Sequence, residues 1–271
     1  LLYALRHNAG NGHTCLPRDK LLDSTSKFLR VSPDEIEAGL DELLSAEELR
    51  TRTFDGVEYI YLPDLLSAEE DIAARLGQLS TFPTEVPKTL DADIRVLEMA
   101  QGFEYAPLQK QAIKLALSSR VMVLTGGPGT GKTTTVNAIL SLYEALYDRV
   151  ALCAPTGRAA KRLSELTGHA ASTIHRLLEV DYSSGNVRFI HNEKNLLKYD
   201  VIILDEMSMV DVKLFQALLA AARYHCRIIM VGDADQLPSV GPGNILGEIL
   251  RVGVVPTVRL TDIFRQAQQS L

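Results

Sequence analysis

The sequence predicts an α/β fold built on a parallel sheet, and three observations carry that prediction. Val121-Met122-Val123-Leu124 is an apolar run of strand length, followed closely by Gly126-Gly127-Pro128-Gly129-Thr130-Gly131-Lys132-Thr133-Thr134. After that loop Val136, Ile139, Leu140 and Tyr143 recur at helical spacing. Strand, glycine loop and helix thus stand in the order of a phosphate-binding loop. Further apolar runs near 150–154, 201–204, 227–231 and 257–260 alternate with helical stretches, which is the pattern of parallel strands covered on both faces.

Ahead of this sheet, residues 1–80 read as a separate, mainly helical unit. Leu1 to Ala9 suits a first helix, broken by Gly10-Asn11-Gly12, and Arg18 to Leu29 suits a second. A third starts at Ser32-Pro33-Asp34-Glu35, which supplies an N-cap, a proline for the first turn and a capping-box acid, and Ile36, Leu40, Leu43 and Leu44 then line one face. Two strand-like runs, Leu49 to Phe54 and Val57 to Leu62, flank Asp55-Gly56. That dipeptide favours a type I′ hairpin because both turn positions need positive φ. Three helices and a hairpin make a winged-helix-like arrangement. In this register Arg50, Arg52, Tyr59 and Tyr61 share a face that suits nucleic acid, a solvated sheet surface or packing on the neighbouring domain. Residues 81–107 form a linker with a short helix near Asp91 to Ala100, residues 108–260 form the sheet domain, and 261–271 begin a further element. Within the sheet domain Val180-Asp181-Tyr182, Ser183-Ser184-Gly185-Asn186 and Val187-Arg188-Phe189-Ile190 read as a small inserted β-hairpin at 178–192.

At 271 residues the chain is long enough for one large or two modest cores. A net charge of −6 argues against a simple basic nucleic-acid clamp, although local patches can still bind a single strand. Cys15, Cys153 and Cys226 are widely separated, which argues against a zinc site or disulfide framework and for a reducing, cytoplasmic setting. No run approaches the length of a membrane span, and the N-terminus of the sequence does not show the basic-then-apolar pattern of a secretion signal. The start at Leu1 and the unfinished element at the end suggest part of a longer protein.

The chemistry concentrates after the strands. The glycines of the loop turn backbone N–H groups inward around an anion, and the following helix N-terminus adds partial positive charge. Lys132 is the candidate contact to the β- and γ-phosphates and Thr133 the ligand for Mg2+, with Gly127, Gly129, Thr130, Gly131 and Thr134 completing the cradle. Val201-Ile202-Ile203-Leu204 runs into Asp205-Glu206, placing two carboxylates at the strand end where α/β proteins bind ligands. Asp205 suits the metal, and Glu206 suits the general base for an attacking water. Gln236, in Gly232-Asp233-Ala234-Asp235-Gln236-Leu237-Pro238, carries an amide able to sense the γ-phosphate.

Seven motifs occur in one order: Leu108-Gln109-Lys110-Gln111, the glycine loop, Ala154-Pro155-Thr156-Gly157-Arg158, Thr173-Ile174-His175-Arg176-Leu177, Asp205-Glu206-Met207-Ser208, the run ending in Gln236-Leu237-Pro238, and Ile263-Phe264-Arg265-Gln266. In this the chain resembles the superfamily-one DNA helicases, most closely the stand-alone RecD-like branch with an N-terminal extension. The resemblance implies a RecA-like motor lobe, ATP and Mg2+ as cofactors, and ATP-driven 5′-to-3′ movement on single-stranded DNA, with unwinding at single-strand–duplex junctions in repair or recombination. It implies that Gln109 reads adenine and that Arg265 reaches the γ-phosphate from the second lobe, with Phe264 stacking near the base. It further implies that Pro155, Thr156, Arg158, Thr173 and His175 lie along DNA, and that the hairpin tip Ser183 to Asn186 splits the duplex. It implies as well that residues 261–271 begin a second motor lobe, most of which lies beyond this sequence.

Two other readings compete. An AAA-type ATP switch, such as a clamp-loader-like remodeller, predicts a helical lid and little response to single-stranded DNA. An adaptor with a vestigial nucleotide site predicts decay of Lys132, Thr133, Asp205, Glu206 and Gln236, all of which are intact. A GTPase is disfavoured because Asn192-Glu193-Lys194-Asn195 lacks the order and the acid of a guanine-reading motif.

Overall fold

The computed structural model describes residues 1–82, 84–146, 149–181, 188–236 and 239–262. Contacts divide the chain into two compact units. The first holds Leu1–Ala74 together with 210–216 and 239–244, and the second holds Arg75–Met209, 217–236 and 245–262. The division falls short of the expected boundary at residue 80, and it is discontinuous, which the sequence did not foreshadow.

In the first unit the order is α1 (Leu2–Ala9), β1 (Cys15–Pro17), α2 (Arg18–Leu29), α3 (Pro33–Ser45), β2 (Arg50–Phe54), β3 (Val57–Tyr61) and the start of α4 (Pro63–Thr81). Ser32 caps α3 as its spacing requires, its Oγ accepting from Glu35 N–H at 3.3 Å. Asp55 and Gly56 have φ of +49° and +78°, the conformation a type I′ turn demands. Leu5, Leu21, Leu40, Leu49 and Ile60 form the core. The three-stranded sheet has the order β1-β3-β2, and β1 was not expected because Cys15-Leu16-Pro17 is too short to show a period. The face carrying Arg50, Arg52, Tyr59 and Tyr61 is partly covered: Arg50 and Arg52 are exposed and Tyr59 is half-buried, while Tyr61 is buried and Arg52 donates to Glu70 of α4 at 3.0 Å through Nε.

The second unit continues with α5 (Leu90–Gln101), α6 (Pro107–Ser118), β4 (Val121–Gly126), α7 (Lys132–Leu146), β5 (Val150–Ala154), α8 (Gly157–Thr167), β6 (Ala171–Thr173), α9 (Ile174–Leu178), β7 (Val180–Asp181), β8 (Arg188–Phe189), β9 (Val201–Leu204), α10 (Val212–Ala221), β10 (Arg227–Gly232), α11 (Ile245–Val252) and β11 (Thr257–Leu260). Six strands form one parallel sheet in the order β11-β4-β10-β9-β5-β6. This is the RecA-like α/β arrangement. Every residue of β4, β9 and β10 is buried, as expected for strands covered on both faces. On one face Met122, Leu124, Ile203, Ile229 and Val231 pack with residues of α5, α6 and α7. The alternate residues Val123, Ile202, Leu204 and Met230 are equally buried. β7 and β8 pair antiparallel, so the base of the inserted hairpin forms, while its tip Ser183 to Asn186 lies outside the described residues. No helix among the described residues is long and apolar enough to cross a membrane.

Candidate nucleotide site

Because all six strands are parallel, the residues that follow them share one edge. The glycine loop follows β4, Asp205-Glu206 follows β9 and Asp233 follows β10, and these three strands are direct neighbours in the order β4-β10-β9. The register aligns Thr125 with Gly232 and Leu204 with Met230. Strand pairing therefore brings the loop and the acidic dyad to one place, although about 70 residues separate them in sequence.

The loop depends on glycine at defined points. Gly129 and Gly131 have φ of +78° and +86°, a region that costs other residues 1–2 kcal/mol or so. A Cβ on Gly126 would lie 2.7 Å from both the Leu260 carbonyl oxygen and Thr130 Oγ1, so no larger residue fits there. Thr130 Oγ1 donates to the Gly127 carbonyl at 2.9 Å, and Thr135 Oγ1 donates to that of Gly131 at 3.0 Å. Lys132 Nζ donates to the carbonyls of Gly126 and Gly127 at 2.5 and 3.0 Å. The ammonium thus lies over the loop, and Thr133 and Thr134 follow it in the first turn of α7.

Gln109 is buried at the start of α6. Its Oε1 accepts from Ala106 N–H at 2.9 Å, closing the helix N-terminus, and its Nε2 donates to the Gly131 carbonyl at 3.4 Å. Both ends of the amide are therefore engaged with backbone, and the side chain ties α6 to the glycine loop. A hollow beside it is lined by Ala106, Leu108, Gln109, Thr130, Leu260 and Thr261.

Asp205 sits where burial pushes its carboxyl above the ordinary carboxylate range. The Glu206 backbone N–H bonded to it pulls the other way; the Glu206 carboxylate pushes further up, and the Lys132 and Arg162 charges pull down. Lys132 and Asp205 are consequently electrostatic neighbours. Arg162 was not singled out from the sequence; its signal there is the four-residue spacing from Arg158 on α8, which places both on one helix face. Glu206 has φ of +53°, an uncommon conformation for a residue with a Cβ, and its carbonyl accepts from Met209 N–H at 3.0 Å in the tight turn that follows. Non-glycine residues are held this way where surrounding structure over-determines them, often at functional sites.

Asp233 is buried. Its Oδ1 accepts from Asp235 N–H at 3.1 Å, and its Oδ2 accepts from Gln236 Nε2 at 3.4 Å. The Gln236 amide is thus folded back on the acid three residues before it. Leu237 and Pro238 of the same motif, and Phe264 and Arg265, lie outside the described residues.

The remaining candidates follow β5 and β6. Pro155 and Thr156 directly follow β5, and Thr156 Oγ1 caps α8 by accepting from Ala159 N–H at 3.2 Å. Thr173 Oγ1 caps α9 in the same way, from Arg176 N–H at 3.1 Å. Each hydroxyl keeps its proton for another acceptor. Arg158 and His175 are exposed, and the His175 ring lies 5.8 Å from that of Phe189 on β8, linking this segment to the hairpin.

With this geometry in view, the similarities to known proteins are specific. A family model described as an AAA domain matches residues 109–242. The ATP-dependent RecD2 DNA helicase of Deinococcus radiodurans is 38% identical over 272 residues, covering 96% of this chain and 36% of that protein. The RecBCD enzyme subunit RecD of Mycolicibacterium smegmatis is 45% identical over 174 residues, 55% of this chain and 30% of its own length. The corresponding subunit of Mycobacterium tuberculosis is 40% identical over 216 residues, 70% of this chain and 36% of its own length. The chain thus spans about a third of the length of the curated relatives it matches. A parallel sheet with this motif order, and 38% identity to a RecD2 helicase across 96% of the chain, places it in the RecD-like family of superfamily-one helicases.

Proposed function

We propose that this chain is the N-terminal unit and first motor lobe of an ATP-dependent DNA helicase that moves along single-stranded DNA and opens duplex at junctions. The observation that carries this reading is the meeting of Lys132, the glycine loop and Asp205-Glu206 at the C-terminal edge of adjacent parallel strands. In this reading residues 108–260 form the motor lobe, and a second lobe lies in the rest of the parent protein, which works in the cytoplasm.

The residues suit a nucleoside triphosphate. Loop N–H groups and the start of α7 face its phosphates, and Lys132 exchanges its two carbonyl partners for phosphate oxygens. Thr133 and Asp205 are the protein's ligands for Mg2+, which when bound neutralises phosphate charge during transfer. Two protein ligands suit that ion, since it keeps several waters and binds largely through phosphates. Among the described residues there is no cluster of three or more His, Cys, Asp or Glu that would make a dedicated metal cage. The buried Asp205 carboxyl, pushed upward by desolvation, is the kind of acid that gains most from an adjacent cation. Glu206 takes the proton of the attacking water, Gln236 leaves Asp233 to read the γ-phosphate, and Arg265 is the residue assigned to offset its charge. Gln109 fixes the loop against α6 and is the residue assigned to the adenine base.

DNA runs along Pro155, Thr156, Arg158, Thr173 and His175. Hydroxyls, helix-terminal amides and a guanidinium contact phosphates without reading sequence. The hairpin β7–β8, held next to His175 through Phe189, stands at the junction.

Strand displacement by the full-length parent protein tests this reading. A duplex with a 5′ single-stranded tail is expected to open with ATP, and a 3′-tailed duplex is not. Absence of opening on both substrates, with ATP consumed, would instead support a protein remodeller.

A further inference from the structure

Helices α5 and α6 meet at one buried acid. Glu98, in the last turn of α5, is buried, and its Oε1 gathers two donors from α6 and the chain that enters it: the Tyr105 N–H at 2.8 Å and Lys110 Nζ at 2.8 Å. The Glu98 carbonyl accepts from Gly102 N–H at 2.9 Å, and Gly102, with φ of +74°, ends α5. One residue thus closes one helix with its backbone and starts the next with its side chain. The Lys110 ammonium holds the Glu98 carboxyl below the ordinary carboxylate range, burial opposes that, and the Tyr105 N–H adds to the lowering, so the acid is charged at neutral pH.

The two donors bracket the residue assigned to adenine. Between Tyr105 and Lys110 lie Ala106, Pro107, Leu108 and Gln109, the turn in which Gln109 Oε1 accepts from Ala106 N–H at 2.9 Å. Lys110 N–H donates to the Ala106 carbonyl at 2.9 Å, and Pro107 has no N–H to satisfy. Gln109 Nε2 reaches the Gly131 carbonyl at 3.4 Å, a contact too long to fix the turn by itself. The Tyr105 ring is buried as well, and its hydroxyl donates to Gln101 Oε1 at 2.7 Å. A second pair, Lys114 with Asp91 at 2.6 Å, joins the same two helices further along, but both side chains are exposed and such pairs contribute little.

We infer that Glu98 is a positioning residue for the nucleotide: by gripping Tyr105 and Lys110 it holds Gln109 in place against the glycine loop. The inference rests on the nucleotide-site reading, in which Gln109 meets the adenine base. A flexible side-chain amide discriminates between bases only when the backbone that carries it is fixed, and the first turn of a helix frays unless its N–H groups are engaged. Without the acid, the Tyr105 N–H is buried with no acceptor and the Lys110 ammonium turns to water, so the entry to α6 loosens. The loss falls on base recognition, because Lys132, Asp205 and Glu206 belong to other elements.

Nucleotide selectivity of the full-length protein tests this. Gln109→Ala is expected to lower the ratio of kcat/KM for ATP over GTP about tenfold and Glu98→Ala about fivefold, through KM, with kcat for ATP within about twofold. Glu98→Gln keeps an acceptor for both donors and should stay within about twofold of wild type. Lys110→Met removes only the ammonium, serves where Glu98→Ala fails to fold, and should lower the ratio about twofold or more. Because Glu98 acts through Gln109, the double variant should lose no more selectivity than Gln109→Ala alone. Hydrogen exchange without nucleotide is the second readout: the amides of Ala106 and Lys110, bonded within the turn, should exchange about tenfold faster in Glu98→Ala. Equal losses with ATP and GTP, losses that multiply in the double variant, or unchanged exchange at both amides overturn the inference. If Gln109→Ala leaves the ratio unchanged, the assignment of Gln109 to the base fails, while the exchange rates still decide whether Glu98 holds the turn.

Discussion

Glu206→Gln is expected to bind ATP within about threefold of wild type and to lose about 10²- to 10⁴-fold in turnover, the range a positioned general base supplies. The amide has the shape of the carboxylate and leaves the backbone turn at φ of +53° unchanged, so the loss falls on proton transfer and not on folding. Removing that negative charge also removes one of the influences pushing Asp205 upward. Phosphate binding should therefore be kept or strengthened. Single-turnover hydrolysis alongside a binding titration separates the two effects. Wild-type turnover in the variant would remove Glu206 from the role of base.

Lys132→Ala is expected to abolish ATP hydrolysis stimulated by single-stranded DNA and to weaken ATP binding by about ten- to a hundredfold, in line with about 1.5–3 kcal/mol for a hydrogen bond to a charged group. Arg162, the other cation acting on Asp205, belongs to α8, which follows a different strand. The two carbonyls that Lys132 now engages belong to the loop edge and can turn to water, so the fold should survive. Circular dichroism unchanged from wild type, together with absent turnover, is the expected pair of results. Persistent stimulated hydrolysis would show that the phosphate contact lies elsewhere.

The parts of the molecule legible in the sequence are those in which one local rule decides the outcome. β4, β9 and β10 are written as unbroken apolar runs because both faces are covered. α3 is announced by Ser32 and Pro33, and the β2–β3 turn by Asp55-Gly56. By contrast, β6 is Ala171-Ser172-Thr173, three half-buried residues at a sheet edge, and carries no apolar run to mark it. α4 has helical spacing in Leu65, Leu66, Ile72, Leu76 and Leu79, all buried.

The candidate site divides in the same way. Motif order identifies the glycine loop and the acidic dyad, since their positions after strands fix their place on the sheet edge. It cannot show how a polar side chain is occupied. Gln109 closes a helix terminus, Gln236 folds back on Asp233, and the hydroxyls of Thr156 and Thr173 cap helices, because each lies within reach of unpaired backbone or a buried acid. The left-handed Glu206 and the joining of 210–216 and 239–244 to the unit of Leu1–Ala74 arise from contacts distant in sequence, which no local pattern records.

The most direct test of the central claim is steady-state ATP hydrolysis by the full-length parent protein, with magnesium, in the presence and absence of single-stranded DNA. The account predicts that DNA raises turnover by about tenfold or more, because the proposed strand track after β5 and β6 and the acidic dyad after β9 follow neighbouring strands of one sheet. Turnover that is absent, or present but indifferent to single-stranded DNA at saturating concentration, would contradict it.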